Sequence, residues 1–256
     1  MTTPPPDKAP KPGLNIYGCA AVNPVKLTIA AAELEYDLTI HLQQAKPSNT
    51  LVHVKEDGTS LRIFESAACL LYMASVHDKD HKLSYQPETP EYWSQLSWLS
   101  WQVAGYGPIM GEAAHFNRCA YEPVPYGSWR YTAESRRLNH VLGKQLSTSP
   151  FLTIADIAVF IYAHSAKWCG VDLAEFPHVK AWHEKLFLER PAFQKGLQVP
   201  VPYRFNDAAV VNPDDEFLPM MRKFAAHAVK TTTEQWQGEP VALPSDHTNY
   251  PRVLGC

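Results

Sequence analysis

Short apolar runs of two kinds fill the first third of the chain. Four of them alternate or cluster as strands do, and two have the i, i+3, i+4 spacing of helices. The predicted strands are residues 14–17, 37–42, 51–54 and 61–64, and the predicted helices are residues 23–34 and 65–76. Glu56, Asp57 and Gly58 supply a hairpin turn between the last two strands. The order β-α-β followed by β-β-α predicts a thioredoxin-type sandwich.

Beyond residue 90 no strand pattern is convincing, and the apolar spacing is helical. Helices are predicted at residues 91–103, 108–117, 126–146, 154–168 and 178–189. Thr153 and Asp156 have the spacing of an N-capping pair, which predicts that they satisfy free amides where the fourth of these helices begins. The predicted fold class is therefore α/β followed by all-α, with an N-terminal thioredoxin-like domain and a C-terminal α-helical domain.

Changes of composition set the predicted domain boundaries. Residues 2–13 contain five prolines and no large apolar side chain, which predicts a disordered leader over residues 1–13. The thioredoxin-like domain, a polar linker, the helical domain and a C-terminal extension follow at residues 14–77, 78–90, 91–203 and 204–256. One helix is predicted inside the extension, at residues 213–230.

Charge and cysteine content exclude several classes of protein. The 23 basic and 26 acidic side chains give a net charge of -3, so no nucleic-acid partner is expected. No apolar run approaches the ~18 residues of a membrane span, and no secretory signal is recognisable. We therefore expect no membrane partner and a cytoplasmic location. The five cysteines include no C-x-x-C pair, which favours free thiols and no metal site.

Four stretches of the chain resemble the glutathione transferase superfamily. They are residues 23–27, 63–66, 106–116 and 170–177, in the same order as in the family and on the expected elements. The resemblance extends over residues 14–203 and is sharpest to the branch of fungal nitrogen-regulator-type proteins and bacterial nu-class transferases. It implies a glutathione-binding N-terminal domain, a substrate-binding helical domain, glutathione as co-substrate or cofactor, and a homodimer.

Asn23 is the candidate catalytic residue. Asn23 and Pro24 predict the start of the first helix, with asparagine as N-cap and proline at the first helical position. Helix amino ends favour a thiolate, and lowering a thiol pKa by ~2 units requires about 2.7 kcal/mol. The resemblance implies that the Asn23 amide also donates to the glutathione sulfur while the carbonyl oxygen caps. A capping role alone is the alternative.

The resemblance assigns further glutathione contacts to Leu51, Glu65 and Ser66. Ser66 and its amide at the start of the second helix would hold the γ-glutamyl carboxylate, and Glu65 would pair with the ammonium group. A structural capping pair is the alternative. The Leu51 backbone would pair with the cysteine of glutathione, although Val52 stands where the family has a cis-proline. Residues 42–47 are also too few for the helix that the family carries there.

The second substrate is expected against the helical domain, where aromatic side chains are alternatively part of the core. The substrate-binding candidates are Tyr106, His115, Phe116, Arg118 and Trp168, with Cys19 as a pocket wall. The resemblance implies that the His115–Phe116 pair faces the cleft between the domains. Cys19 is also a rival nucleophile, because thiol-type relatives form a mixed disulfide from this loop. The extension is a candidate cover for the cleft.

Three functions follow as alternatives. The first is an enzyme whose glutathione thiolate adds to a hydrophobic electrophilic small molecule, either as a transferase or as a cis-trans isomerase of an activated alkene. The altered residues 43–54 and the long extension favour a dedicated substrate of specialised metabolism. The second is a thiol-disulfide or peroxide reductase that depends on Cys19. The third is a non-catalytic binding protein of the same fold, against which Asn23, Glu65 and Ser66 argue.

Overall fold

The N-terminal part of the computed structural model is a four-stranded mixed sheet. The described residues are 9–18, 21–42, 50–120, 122–148, 152–206 and 217–235. The strands are β1 (Gly13–Gly18), β2 (Thr39–Leu42), β3 (Thr50–Val54) and β4 (Ser60–Phe64), in the order β2-β1-β3-β4. β2 is parallel to β1, whereas β3 is antiparallel to β1 and β4. The predicted strand positions and thioredoxin-like order are confirmed.

The turn between β3 and β4 has the chemistry that its sequence predicts. Gly58 has a φ of +80°, a left-handed conformation that favours glycine because it lacks a Cβ. The backbone N–H of Gly58 donates to the carbonyl of Lys55 at 3.0 Å. The carboxylate of Asp57 accepts from the backbone N–H of Thr59 at 2.9 Å. These contacts close the hairpin.

Helices α1 (Val22–Glu33) and α2 (Ser66–His77) pack against each other beside the sheet. α1 also packs against the helical domain, which is why Leu27 and Ile29 are fully buried. α1 begins one residue before Asn23, with Ala21 as its N-cap and no capping side chain. The predicted N-cap role of Asn23 is therefore wrong, because Asn23 lies inside the first turn of the helix.

The helical domain contains most of the predicted helices, with altered ends. Its helices are α3 (Pro90–Trp101), α4 (Gly107–Ala114), α5 (Pro125–Leu146), α6 (Ile154–His164), α7 (Pro177–Glu189), α8 (Pro191–Leu197) and α9 (Phe217–Gln235). π-helical turns at residues 102–106 and 115–119 continue α3 and α4, so residues 90–119 form one continuous helical segment. α6 ends at His164 rather than residue 168, α8 was not predicted, and α9 lies where one helix of the extension was predicted.

The start of α6 confirms the predicted capping pair. Thr153 Oγ1 accepts from the backbone N–H of Ala155 at 3.1 Å, and the Asp156 carboxylate accepts from the backbone N–H of Thr153 at 2.8 Å. Asp156 also accepts from Trp182 Nε1 at 3.0 Å. The backbone N–H of Ile154 donates to the carbonyl of Leu83 at 2.8 Å, so the segment between the domains is packed against this end.

Gly196 permits the close contact between α8 and α1. A Cβ at this position would lie 2.5 Å from Ile29 Cγ1 and 2.7 Å from the Ile29 backbone nitrogen. We expect Gly196→Ala to lower the free energy of unfolding by about 2 kcal/mol, because overpacking against backbone outweighs the better helix propensity of alanine. Urea denaturation measures this change. Gly111→Ala is the matched control, since a Cβ there meets nothing within 4 Å; an equal loss in both variants would contradict the prediction.

Candidate functional site

The amino ends of α1 and α2 lie on either side of a buried side chain. Neither end has a capping side chain, in contrast to α3 and α6, which are capped by Thr89 and Thr153. Glu65, the residue before α2, has a φ of +70°, an uncommon conformation for a residue other than glycine. Uncapped helix amino ends present free N–H groups and a partial positive charge. The two ends can therefore each receive an anionic group.

The buried side chain between them is Lys26 of α1, which is 1% exposed. Its ammonium donates to Ser66 Oγ at 3.2 Å and to Gln102 Oε1 at 2.9 Å, and it lies 5.3 Å from the centre of the Tyr162 ring. Burial lowers the pKa of Lys26 to about 7, and the charge of Glu65 opposes this shift. Sequence reasoning missed Lys26. The available signal was a cationic residue within the otherwise apolar run that follows Asn23.

Asn23 lies in the first turn of α1 and is held by the helical domain. The hydroxyl of Tyr162, on α6, donates to Asn23 Oδ1 at 3.3 Å. Burial raises the pKa of Tyr162 to about 12, so the hydroxyl keeps its proton at neutral pH and acts as a donor. This contact occupies the carbonyl oxygen of the side chain and leaves the amide group as the donor that Asn23 can offer. Tyr162 thus contacts both Asn23 and Lys26, and Lys26 in turn contacts Ser66.

An apolar cavity of about 390 Å³ opens beside the start of α1. Val22 and Tyr162 belong to its wall, and Met221 and Ala225 of α9 cover it from the other side. The remaining lining residues are Met110, Gly111, Ala114, His115, Cys119, Ser165, Trp168, Cys169 and Phe205. No lysine, arginine, aspartate or glutamate is among these described lining residues, so the cavity suits an uncharged apolar molecule.

His115 and Trp168 are brought to this cavity, whereas three other substrate candidates are not. Tyr106 is fully buried, stacks on Trp101 and donates to Asn139 Oδ1 at 3.1 Å, which favours the alternative that it is part of the core. Phe116 packs against α5, stacked on Tyr131 with ring centres 5.4 Å apart.

Arg118 is also turned away from the cavity. Its Nε donates to the carbonyl of Trp168 at 3.2 Å and its Nη2 to the carbonyl of Lys167 at 3.3 Å. It therefore neutralises carbonyl groups that follow α6, as cations do at helix carboxyl ends. Phe116 and Arg118 do not line this cavity, and their substrate contacts stay predictions, because helical spacing does not show which face of a helix meets a neighbour.

The glutathione contact predicted for Leu51 has no support in the structure. Leu51 is fully buried in β3, opposite Ile16 of β1 and Ile63 of β4. Its backbone belongs to the interior of the sheet and offers no accessible edge to a ligand. Cys19 and residues 43–49 lie outside the described residues. The predictions for Cys19 and for the shortened segment therefore stay predictions.

Three further findings concern the helices, the potential metal ligands and the cysteines of the described residues. Every helix in the described part of the chain is too short or too polar to span a bilayer. Within the same residues, histidine, cysteine, aspartate and glutamate side chains nowhere form a group of three suited to a metal ion. Cys69, Cys119 and Cys169 are buried and form no disulfide among the described residues.

Comparison with known proteins identifies the family. No protein-family model matches the chain. The disulfide-bond oxidoreductase YfcG of Escherichia coli is 34% identical over 207 residues, which cover 72% of this chain and 94% of YfcG. Glutathione S-transferase 2 of Schizosaccharomyces pombe is 33% identical over 207 residues, which cover 66% of this chain and 88% of that protein.

A solved structure agrees with these sequence matches. A glutathione transferase homolog from Lodderomyces elongisporus, crystallised with two glutathione molecules per subunit, has a TM-score of 0.69 and 29% identity. The match covers 75% of this chain and 100% of the other. A thioredoxin-like sheet followed by this helical domain is the shared architecture. The chain belongs to the glutathione transferase superfamily.

Proposed function

We propose that this protein is a glutathione-dependent enzyme that holds the glutathione thiolate at the amino end of α1 and adds it to an apolar electrophile in the neighbouring cavity. One observation carries the proposal. The uncapped end of α1, with the amide of Asn23 as a donor, adjoins an apolar cavity through Val22 and Tyr162. A thiolate at this position would face an uncharged substrate without an intervening charged group.

The amino end of α2 supplies the second half of the glutathione site in this proposal. Ser66 and the free amides behind it would bind the γ-glutamyl carboxylate, and Glu65 would pair with the ammonium group. Glu65 is exposed and Ser66 is 5% exposed. The exposed carboxylate of Glu65 and the buried hydroxyl of Ser66 are complementary to the γ-glutamyl group, which carries an ammonium and a carboxylate on one carbon. Glutathione bound to the Lodderomyces relative supports this choice of ligand.

Addition of the thiolate is the step that transferase and isomerase chemistry share. If the carbon–sulfur bond persists, the product is a glutathione conjugate. If the thiolate leaves again after rotation about the former double bond, the product is an isomer and glutathione is a cofactor. The apolar cavity suits either substrate, and we propose conjugation first because it requires no special leaving geometry.

The name of the Escherichia coli relative favours a second candidate, a thiol-disulfide reductase. Such an enzyme must accommodate a second glutathione or a similar disulfide, which brings further carboxylates. The described lining of the cavity has no lysine or arginine for them, and His115 is its one imidazole. Burial also raises the pKa of Cys169 to about 12 and raises that of Cys119, so both thiols of the cavity stay protonated at neutral pH. Conjugation is therefore the better-supported proposal.

Calorimetry and product analysis test the proposal together. We expect wild-type protein to bind glutathione and to convert glutathione and an apolar chlorinated dinitrobenzene to a product whose mass is that of the conjugate. Ser66→Ala should weaken glutathione binding by about tenfold, because one hydrogen bond to a charged group is lost. Exposed Ser97→Ala on α3 is the control. An absence of heat at millimolar glutathione would reject the proposal and revive a non-catalytic role.

The product distinguishes the remaining alternatives. A product of unchanged mass from a cis-configured activated alkene would favour the isomerase, and reduction of a glutathione disulfide that vanishes in Cys19→Ser would favour the reductase. The homodimer, the cytoplasmic location and a place in specialised metabolism stay predictions.

A further inference from the structure

Lys26 has two hydrogen-bond acceptors and one aromatic ring as partners inside the protein. One N–H of its ammonium donates to Ser66 Oγ at 3.2 Å and another to Gln102 Oε1 at 2.9 Å. The charge lies 5.3 Å from the centre of the Tyr162 ring, and an aromatic face attracts a cation. The side chain is 1% exposed and touches no part of the apolar cavity. Lys26 is therefore placed behind the ligand-binding groups and not among them.

The contact with Ser66 has a directional consequence. A hydroxyl oxygen that accepts from an ammonium cannot give its proton back to that ammonium, because a lysine ammonium has donors and no acceptor. The Ser66 hydroxyl must donate elsewhere, and Ser66 is the first residue of α2, whose amino end has no capping side chain. We infer that Lys26 is a positioning residue: its ammonium turns the Ser66 proton outward, towards the carboxylate of a ligand at the start of α2.

The charge state of Lys26 would then control this orientation. A neutral lysine amine has a lone pair, so Ser66 would donate inward to it and withdraw its proton from the ligand. Burial brings the pKa of Lys26 to about 7, so both states are accessible near neutral pH. Among the described residues, the titratable groups that face Lys26 are Glu65, ahead of α2, and Tyr162, on α6. Ser66 and Gln102 are neutral. α8 meets α1 at Gly196, which carries no charge, and Arg190, just before α8, is paired with Glu33 at the other end of α1.

A ligand carboxylate at the start of α2 adds a negative charge near Lys26 and favours its charged form. The pKa of Lys26 should therefore rise when the ligand binds, and binding should be accompanied by uptake of a proton. Affinity is highest below pH 7, where Lys26 is already charged, and falls as pH rises through the pKa values of the free and bound protein. A shift of one unit corresponds to an affinity loss of about tenfold and to uptake of about half a proton near pH 7.5.

This inference rests on the proposed function, and calorimetry with S-methylglutathione separates the two. S-methylglutathione has no thiol, so the proton released when glutathione ionises does not obscure the measurement. Titrations of wild-type protein between pH 6 and 8.5, in buffers of different ionisation enthalpy, give affinity and proton uptake without any substitution. We expect the affinity to fall by about tenfold across this range, with net proton uptake.

The Lys26→Met variant tests whether Lys26 is the group that takes up the proton when the ligand binds. Methionine keeps the apolar stem and removes the charge, so this variant should bind weakly at every pH and take up no proton from this position. Lys180→Met, on the surface of α7, is the control and should behave like wild type. Binding of wild type without proton uptake, or the same uptake in Lys26→Met, would overturn the inference and leave the proposed function intact. No binding at any pH would overturn the proposed function itself.

Discussion

Asn23→Ala is expected to move the midpoint of the pH–rate profile for conjugation upward by about 1–2 units. The side-chain amide is the proposed donor to the glutathione sulfur, and a hydrogen bond to a charged group contributes about 1.5–3 kcal/mol. Because one pKa unit corresponds to 1.36 kcal/mol, the bound thiol should become less acidic by roughly that shift. Below both midpoints the rate should fall by about 10- to 100-fold, and the deficit should shrink above them as the thiol ionises without help.

The Tyr162 contact provides a graded control for this prediction. Tyr162→Phe removes the hydroxyl that donates to Asn23 Oδ1 at 3.3 Å and leaves the amide donor in place. We expect a smaller shift of the midpoint than in Asn23→Ala. Asn23→Asp should be the poorest enzyme, since a carboxylate would repel the thiolate. The assignment of Asn23 would be wrong if its alanine variant kept the wild-type midpoint and lost activity equally at every pH.

The free energy of unfolding is expected to fall by about 3–4 kcal/mol between pH 7 and pH 5 because of a buried histidine pair. His164 Nδ1 and His183 Nε2 lie 3.0 Å apart between α6 and α7, and both rings stack on Phe160. Burial lowers the pKa of His164 to about 4. Burial, reinforced by His164, lowers the pKa of His183 to about 3. Both rings are therefore neutral in the folded protein across this range.

The sign follows from the unfolded chain, in which an imidazole has a pKa of ~6.5 and takes up its proton first. Stability is fully present above pH 6.5 and is lost as pH falls towards about 4, where the folded protein also begins to bind protons. Urea denaturation of wild type and of the double variant His164→Phe/His183→Phe measures the contribution of the pair. The double variant removes both hydrogen-bond partners together and keeps the ring packing.

Exposed His178→Gln on α7 is the control for this experiment, because its side chain lies outside the pair. We expect it to keep the wild-type slope of stability against pH. The prediction fails if the double variant loses stability between pH 7 and pH 5 as steeply as wild type does.

The sequence predicted those structural elements that depend on interactions between neighbouring residues. The alternation in residues 51–54 and 61–64, the turn at Gly58 and the capping pair of Thr153 and Asp156 each depend on a few neighbouring residues, and each is found in the structure. Helix α8 was missed because it is short and contains Gly196, which is required by packing on α1 and is unfavourable for an isolated helix. The π-helical turns after α3 and α4 have no local signal of comparable strength.

Features that depend on distant partners could not be predicted. Tyr106 has the aromatic character of a substrate contact, yet Asn139, 33 residues away, makes it part of the core. Asn23 was predicted as an N-cap because Asn-Pro is a local signal, but α1 begins one residue earlier and the Asn23 side chain accepts from the hydroxyl of Tyr162 in the other domain. The hydrogen bonds of Lys26 form only when α1, α2 and the end of α3 are packed together, so no local pattern predicts them.

Several elements line the cavity. Val22 of α1 and Tyr162 of α6 lie next to Asn23, α4 and the segments after α4 and α6 supply further residues, and Met221 and Ala225 belong to α9. Exchanging either α9 residue alters the volume open to an acceptor molecule without touching a group that holds the nucleophile. In the proposed enzyme, the α9 part of the lining could therefore change with the acceptor molecule while the residues around Asn23 are kept.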